Sequence, residues 1–253
     1  MRAIKPKILI PVLAVTLFFS CNKTDDFTSE SLSDYVSPQV GKYITYRLDS
    51  TVFTNFGTTT EVHSFEEKHV VDAQIPDAMG RPSYRILRYL RDVLATKPWT
   101  QAGSYFITPL DNTLELVENN LRFVKLATPI KEGLTWKGNK YLPDEPFLPL
   151  YDFQNDNEME EWDFSYGPVN ETMSFNGQTL NVITVNGFED ATNVPVTAPD
   201  VYGSIDYHQY KYAKGIGLVF EEWIMWDYQP PSGMATTGNK KGFGVKRVMI
   251  DHN

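Results

Sequence analysis

Residues 172–185 read TMSFNGQTLNVITV, two strand-like runs separated by Asn176-Gly177. A two-residue type I′ turn needs positive φ at both central positions, and Asn and Gly adopt it at least cost, so this stretch predicts a tight β-hairpin. The pattern repeats along the chain. Leu114–Glu118 and Leu121–Ala127 flank Asn119-Asn120, and Phe53 and Val62 flank Asn55-Phe56-Gly57. His69–Val71 leads to Ser83–Arg91 through Pro76-Asp77 and Gly80. Tyr43–Leu48 alternates as YITYRL, and later runs rich in Val, Ile, Tyr, Phe and Trp fall at 204–212, 218–226 and 243–250. These signals amount to roughly ten to twelve strands joined by short loops, and no segment sustains a 3.6-residue period. Consecutive hairpins make an antiparallel meander. The expectation is an all-β, single-domain fold over residues 41–253: a large curved sheet, half-barrel or barrel, with a sandwich as the remaining alternative.

Several strands are apolar on both faces. Leu180 and Val182 oppose Ile183 and Val185, and Phe243, Val245 and Met249 oppose Val248 and Ile250. A sheet with one wet face alternates more cleanly, so both faces are expected to be covered. Two long irregular stretches, 138–163 with Pro143, Pro146 and Pro149 and 187–203 with Pro195 and Pro199, are the expected binding rim or cavity lid.

The chain has 253 residues, 42% hydrophobic and 13% aromatic, enough for a sizeable core. Its N-terminus carries Arg2, Lys5 and Lys7, then an apolar run from Ile8 to Phe19, then Ser20 and Cys21. That order reads as a cleavable export signal over residues 1–20. The apolar run is well short of the ~20 residues of a permanent membrane helix. Without the signal's three cations, 20 basic residues face 32 acidic ones, a formal charge of −12. Phosphate backbones repel such a surface, and no nucleic-acid partner is expected. Cys21 is the sole cysteine, so the chain has no second thiol for an internal disulfide or a Cys-based metal site.

Leu17-Phe18-Phe19-Ser20-Cys21 resembles the lipobox of bacterial lipoproteins. The resemblance implies lipidation at Cys21 and a membrane partner engaged through its acyl chains, whose affinity grows by ~0.8 kcal/mol per buried CH₂. Residues 21–40, rich in Ser, Thr and Asp, read as a flexible tether. Asp25-Asp26 resembles the surface-export signal of Bacteroidota lipoproteins, so the expected location is the outer membrane, facing the cell surface ahead of the periplasm.

Four histidines, His63, His69, His208 and His252, are expected at the surface; at ~3.3 Å per residue His63 and His69 stand too far apart on one strand to share a metal. Asp152, Asp156, Glu158, Glu160, Glu161 and Asp163 crowd one loop, but without calcium-loop spacing they read as a solvated acidic segment. Trp223, Trp226 and Tyr228, with Tyr202, Tyr207, Tyr210 and Tyr212, read first as core packing and second as a stacking surface for a glycan or apolar ligand. Asp49-Ser50-Thr51 resembles a short bacterial O-glycosylation signal, making Ser50 a candidate acceptor against the reading of a strand-end turn. No Gly-x-Ser-x-Gly elbow, His-Glu-x-x-His helix, P-loop or dinucleotide fingerprint is present, and no cofactor, metal or catalytic residue is expected.

Five phrases together resemble a group of Bacteroidota envelope lipoproteins: VGKYITY at 40–46, GRPSYRI at 80–86, LRFVKL at 121–126, GLTWKGN at 133–139 and YAKGIGLV at 212–219. The resemblance implies the envelope location and brings no activity. The expected function is non-catalytic binding of a partner protein or of an apolar or glycan ligand. The alternatives are a hydrolase using a carboxylate pair and a periplasmic carrier with an apolar cavity.

Overall fold

The computed structural model describes residues 29–148, 150–153 and 158–253. It is an all-β domain whose antiparallel sheet is nearly closed and barrel-shaped. The first six strands are β1 (Tyr43–Thr54), β2 (Thr59–Pro76), β3 (Pro82–Asp92), β4 (Thr100–Pro109), β5 (Thr113–Glu118) and β6 (Leu121–Ala127). After the short β7 (Thr135–Lys137) and β8 (Asp163–Tyr166) come β9 (Glu171–Phe175), β10 (Gln178–Thr192), β11 (Gly203–Ala213), β12 (Gly217–Gln229) and β13 (Asn239–His252). The strand order is β6-β5-β4-β3-β2-β1-β13-β12-β11-β10-β8-β7, with β9 pairing to β10 off this path. The sheet is thus a meander whose first and last strands pair, Leu48 opposite Arg247.

The expected hairpins form where the turn chemistry placed them. Asn176 and Gly177 take φ of 47° and 76°, Asn119 and Asn120 take 51° and 64°, and the turn at Asn55 to Gly57 is left-handed throughout. The seam lies between the two edges of the meander, β6 and β7. It is held by Val124 N–H donating to the Gly138 carbonyl at 2.7 Å. The Trp136 indole N–H donates to the Val124 carbonyl at 2.9 Å. Tyr166 Oη, from β8, donates to the Ala127 carbonyl at 2.7 Å. Gly138 has no room for a side chain, because a Cβ there would overlap the Phe164 ring.

The two ends of the barrel differ. The segment between β7 and β8 folds across one end, where Phe147 packs edge-on to Trp223 and Phe243, and Tyr151 lies against Phe243. This stretch closes the barrel end with aromatic side chains, Phe147 lying against Trp223 of the main cavity's lining, and itself lines only a small pocket. At the other end a single helical turn, α1 (Leu32–Tyr35), buries Leu32 and Tyr35 in the main core. Ser31 caps it by accepting from Ser33 N–H, and the Asp34 carboxylate accepts from Ser31 N–H. The Tyr35 hydroxyl donates to Glu30, and Glu30 pairs with Lys214 at 2.6 Å. The tether expected over 21–40 is therefore docked from Ser29 onward, because two apolar side chains and a capping box sit within its Ser- and Asp-rich sequence. Cys21, Ser20 and Asp25-Asp26 lie outside the described residues.

Val182 and Ile183, consecutive on β10, belong to different apolar clusters, which is how this strand covers both faces. The main cluster joins Trp162, Phe164, Tyr166, Ile183, Val185 and Tyr210. The smaller one joins Tyr46, Val182, Ala213, Val219 and Met249, with Met173, Phe175 and Leu180 of the β9–β10 hairpin packed on it. The second irregular stretch is shorter than expected, since β10 continues through Gly187 to Thr192 with a register shift between Asn186 and Glu189.

Candidate functional site

Within the barrel a chain of ionised side chains crosses from wall to wall. Arg247 on β13 donates through Nε to Glu67 Oε2 of β2 at 2.6 Å and through Nη1 to Glu221 Oε2 of β12 at 2.7 Å. Glu221 Oε1 also takes Lys125 Nζ of β6 at 3.2 Å and His208 Nε2 of β11 at 3.1 Å. Beyond Glu67 stand His69 Nε2 at 3.2 Å and Arg88 Nη1 of β3 at 3.7 Å, and Arg88 Nη2 reaches Glu118 at 2.9 Å. β6 and β12 are far apart in the strand order, so the Lys125–Glu221 pair spans the interior. Strand geometry sets the rest: Arg247 faces Glu221 directly in the β12–β13 register, and Glu67 comes from the next strand but one.

The members share one electrostatic state. Burial alone would raise the Glu67 carboxyl, but Arg247 and His69 outweigh it and hold the group well below the usual carboxylate range. Burial opposes ionisation of Glu221 too, and Lys125, His208 and Arg247 together bring it well below normal. Arg247 remains charged; burial opposes this, but Glu67 and Glu221 overcome it. Burial, helped by Lys125, lowers His208 to about 4. At neutral pH its ring is uncharged, and since the carboxylate only accepts, Nε2 carries the hydrogen. Three carboxylates, Glu67, Glu118 and Glu221, thus meet three cations, Arg88, Lys125 and Arg247. The formal charges of these six side chains sum to zero.

Beside this ionic chain lies a cavity of about 360 Å³. Its walls are aliphatic, from Ile44, Val71, Ile86, Ile107, Leu114 and Leu116. Its polar lining is Tyr46, Tyr105, Tyr212, His69 and Trp223, with Arg88, Glu118, Lys125, Glu221 and Arg247 of the ionic chain. Tyr46 Oη donates to the Leu218 carbonyl at 2.9 Å, and Tyr105 Oη meets His69 Nδ1 at 3.0 Å. Trp223 stacks on His208 with centroids 4.5 Å apart and an interplanar angle of 13°. The exposed part of the lining is Ser37, Gln39, Lys42, Gly215 and Asn253, which marks the mouth. The mouth is therefore built from the segment after α1, the β11–β12 turn and the C-terminal end of β13.

The candidates read from the sequence divide accordingly. His69 and His208 are buried members of the site, contrary to the expected surface positions; His208 Nε2 bonds Glu221 and His69 Nδ1 bonds the Tyr105 hydroxyl, contacts that offset the cost of burying a polar ring. His63 is exposed and pairs with Glu61. Tyr210, Tyr212, Trp226 and Tyr228 are core residues, and of the aromatic set Tyr212 and Trp223 also line the cavity. Ser50 is half-buried in the middle of β1, opposite His63 and Val245, not in a strand-end turn. In the acidic loop, Glu161 and Asp163 pair with Lys137, and Asp156 lies outside the described residues. Among the described residues no group of three or more His, Cys, Asp or Glu is arranged to hold a metal.

Glu67, Glu221, Lys125 and Arg247 were missed from the sequence, though it carries a signal for them. Each is a charge placed between apolar or aromatic residues two positions away on the same strand face: Phe65-x-Glu67-x-His69, Val219-x-Glu221-x-Trp223, Phe123-x-Lys125-x-Ala127 and Val245-x-Arg247-x-Met249. A charge on an inward face must be paired or solvated, so four such strands predict a buried network. No protein-family model, curated protein or solved structure matches the chain.

Proposed function

We propose that this chain is an outer-membrane lipoprotein, anchored at Cys21, whose barrel binds one small neutral amphiphile and does no covalent chemistry on it. The observation that carries this reading is the pairing of an aliphatic-walled cavity with a polar lining that is already neutralised from within. The volume of about 360 Å³ falls within the ~300–1,000 Å³ of small-molecule sites. An ionised ligand would lose its hydration in the interior, where Arg88, Lys125 and Arg247 already have carboxylate partners, which is strongly unfavourable; the remaining lysine of the lining, Lys42, stands exposed at the mouth. A neutral ligand meets no such penalty. Its alkyl or ring portion covers the aliphatic wall, and hydroxyl or carbonyl groups exchange hydrogen bonds with the tyrosines and the rim.

The same electrostatics argue against the hydrolase alternative. A carboxylate-pair glycosidase needs one carboxyl that is protonated at working pH. Glu67 and Glu221 share Arg247, and both are held well below the usual range. Neither has a proton to give at neutral pH. The test is a comparison of monoacylglycerol with the fatty acid of equal chain length, read by Trp223-dependent fluorescence. Tighter binding of the neutral lipid supports the reading; tighter binding of the fatty acid, or turnover of the ester, contradicts it.

A further inference from the structure

The described chain starts at the same barrel end as the cavity mouth. Ser29 Oγ accepts from Ile130 N–H in the β6–β7 connection at 2.8 Å, and the Asp34 backbone carbonyl accepts from Gly215 N–H at the mouth at 2.7 Å. Only seven residues, 22–28, separate Ser29 from Cys21. Eight residue steps reach at most ~28 Å. β13, with its 14 residues, is ~46 Å long, and a typical barrel tilt of ~40° makes the wall about 35 Å high. An acyl group on Cys21 thus cannot reach a membrane lying against the opposite end of an upright barrel.

Exposed apolar residues do not by themselves choose an end. Phe56 and Met234 stand at turns of the far end, while Val40 and Met79 stand at the mouth end, 60% and 73% exposed. Met79 tips the β2–β3 hairpin, and β2 runs six residues beyond Val70, the last to pair with β1. The point at which the chain leaves the barrel decides between the two ends. From it, and resting on the lipid-anchored reading above, we propose that the cavity mouth is held facing the bilayer, with the Met79 hairpin directed at the lipid surface. The ligand then comes from the lipid phase and is a membrane amphiphile with an uncharged headgroup.

The test uses the full lipidated chain, in which Cys21 is blocked by its own thioether. Met79→Cys and Phe56→Cys each introduce one reactive thiol at a highly exposed site, one per barrel end. Both are labelled with an environment-sensitive fluorophore. The proteins are reconstituted in phosphatidylethanolamine–phosphatidylglycerol vesicles carrying nitroxide-labelled phosphatidylcholine. Quenching at position 79 should exceed that at position 56 several-fold. Equal quenching, or stronger quenching at 56, overturns the orientation. The intact mass is read alongside, and a chain without acyl groups removes the anchor and this proposal with it. The quenching ratio does not depend on ligand, so a cavity that binds no amphiphile would show up separately in the monoacylglycerol titration.

Discussion

Arg247 and Glu67, 180 positions apart in the chain, meet in the barrel interior with Arg247 Nε donating to Glu67 Oε2 at 2.6 Å. The same guanidinium donates to Glu221 at 2.7 Å, so one cation bridges two buried carboxylates. Removing it leaves Glu221 with Lys125 and His208 alone, and Glu67 with His69 and the more distant Arg88. Arg247→Met should destabilise the domain by about 3–5 kcal/mol, read as a lower urea midpoint. Arg247→Lys should recover only part of this, because an ammonium lacks the fork that reaches both partners. A midpoint unchanged in Arg247→Met would mean that the ionic chain is solvated and not part of the core.

Acid sensitivity should come in two steps. His208 is lowered to about 4, so between its unfolded pKa of about 6.5 and that value the unfolded chain binds the extra proton. Its contribution is complete above pH 6.5 and is lost as pH falls towards 4, amounting to roughly 3 kcal/mol. Glu67 and Glu221 are depressed, so their contribution is complete above the unfolded carboxyl pKa of about 4.3 and is lost only below it. In His208→Gln, whose amide can still donate to Glu221, the loss between pH 6.5 and 4 should flatten while the loss below it remains. An identical pH profile in wild type and variant would contradict the assignment.

The segment before β1 should behave as part of the fold. Tyr35 is 2% exposed and Leu32 is 6% exposed, both inside the main cluster. Tyr35→Ala should cost about 3 kcal/mol, the scale of an aromatic deleted from a core. A flexible tether would tolerate the change without effect, so calorimetry of this variant separates the two descriptions.

The seam should be the first part of the barrel to open. One backbone bond, Val124 to Gly138, and the side-chain bonds of Trp136 and Tyr166 hold β6 across the seam, whereas neighbours such as β1 and β2 pair in register over twelve positions. Amide exchange at Val124 and across β7 should therefore precede exchange in β1 and β2. Trp136→Phe, which removes the donor and keeps the ring, should lower stability by about 1 kcal/mol and speed exchange at the seam. Faster exchange in β1 would place the weak point elsewhere.

The hairpins were legible because turn chemistry is local: Asn176-Gly177 and Asn119-Asn120 determine φ whatever surrounds them. Two covered faces on β10 were legible from Val182 beside Ile183. Closure was not, because it depends on whether residues 124 and 138, at opposite edges of the sheet, come within bonding distance. The docked helix was masked by composition, since Leu32 and Tyr35 stand alone among Ser, Asp and Glu. The cavity lay furthest from view, because its charges come from six strands and each looks like an ordinary surface residue until the strand face it occupies is known.

The most direct test of the binding role is native mass spectrometry of the lipidated chain, extracted from its own membrane in mild detergent. It is run alongside Ile107→Trp, which fills the aliphatic wall of the cavity. The wild-type chain should carry one uncharged small-molecule adduct beyond its acyl groups, and Ile107→Trp should fold with the same far-ultraviolet spectrum and lack it. A bare wild-type chain, or an adduct retained equally by both proteins, would contradict a ligand-binding cavity at this site.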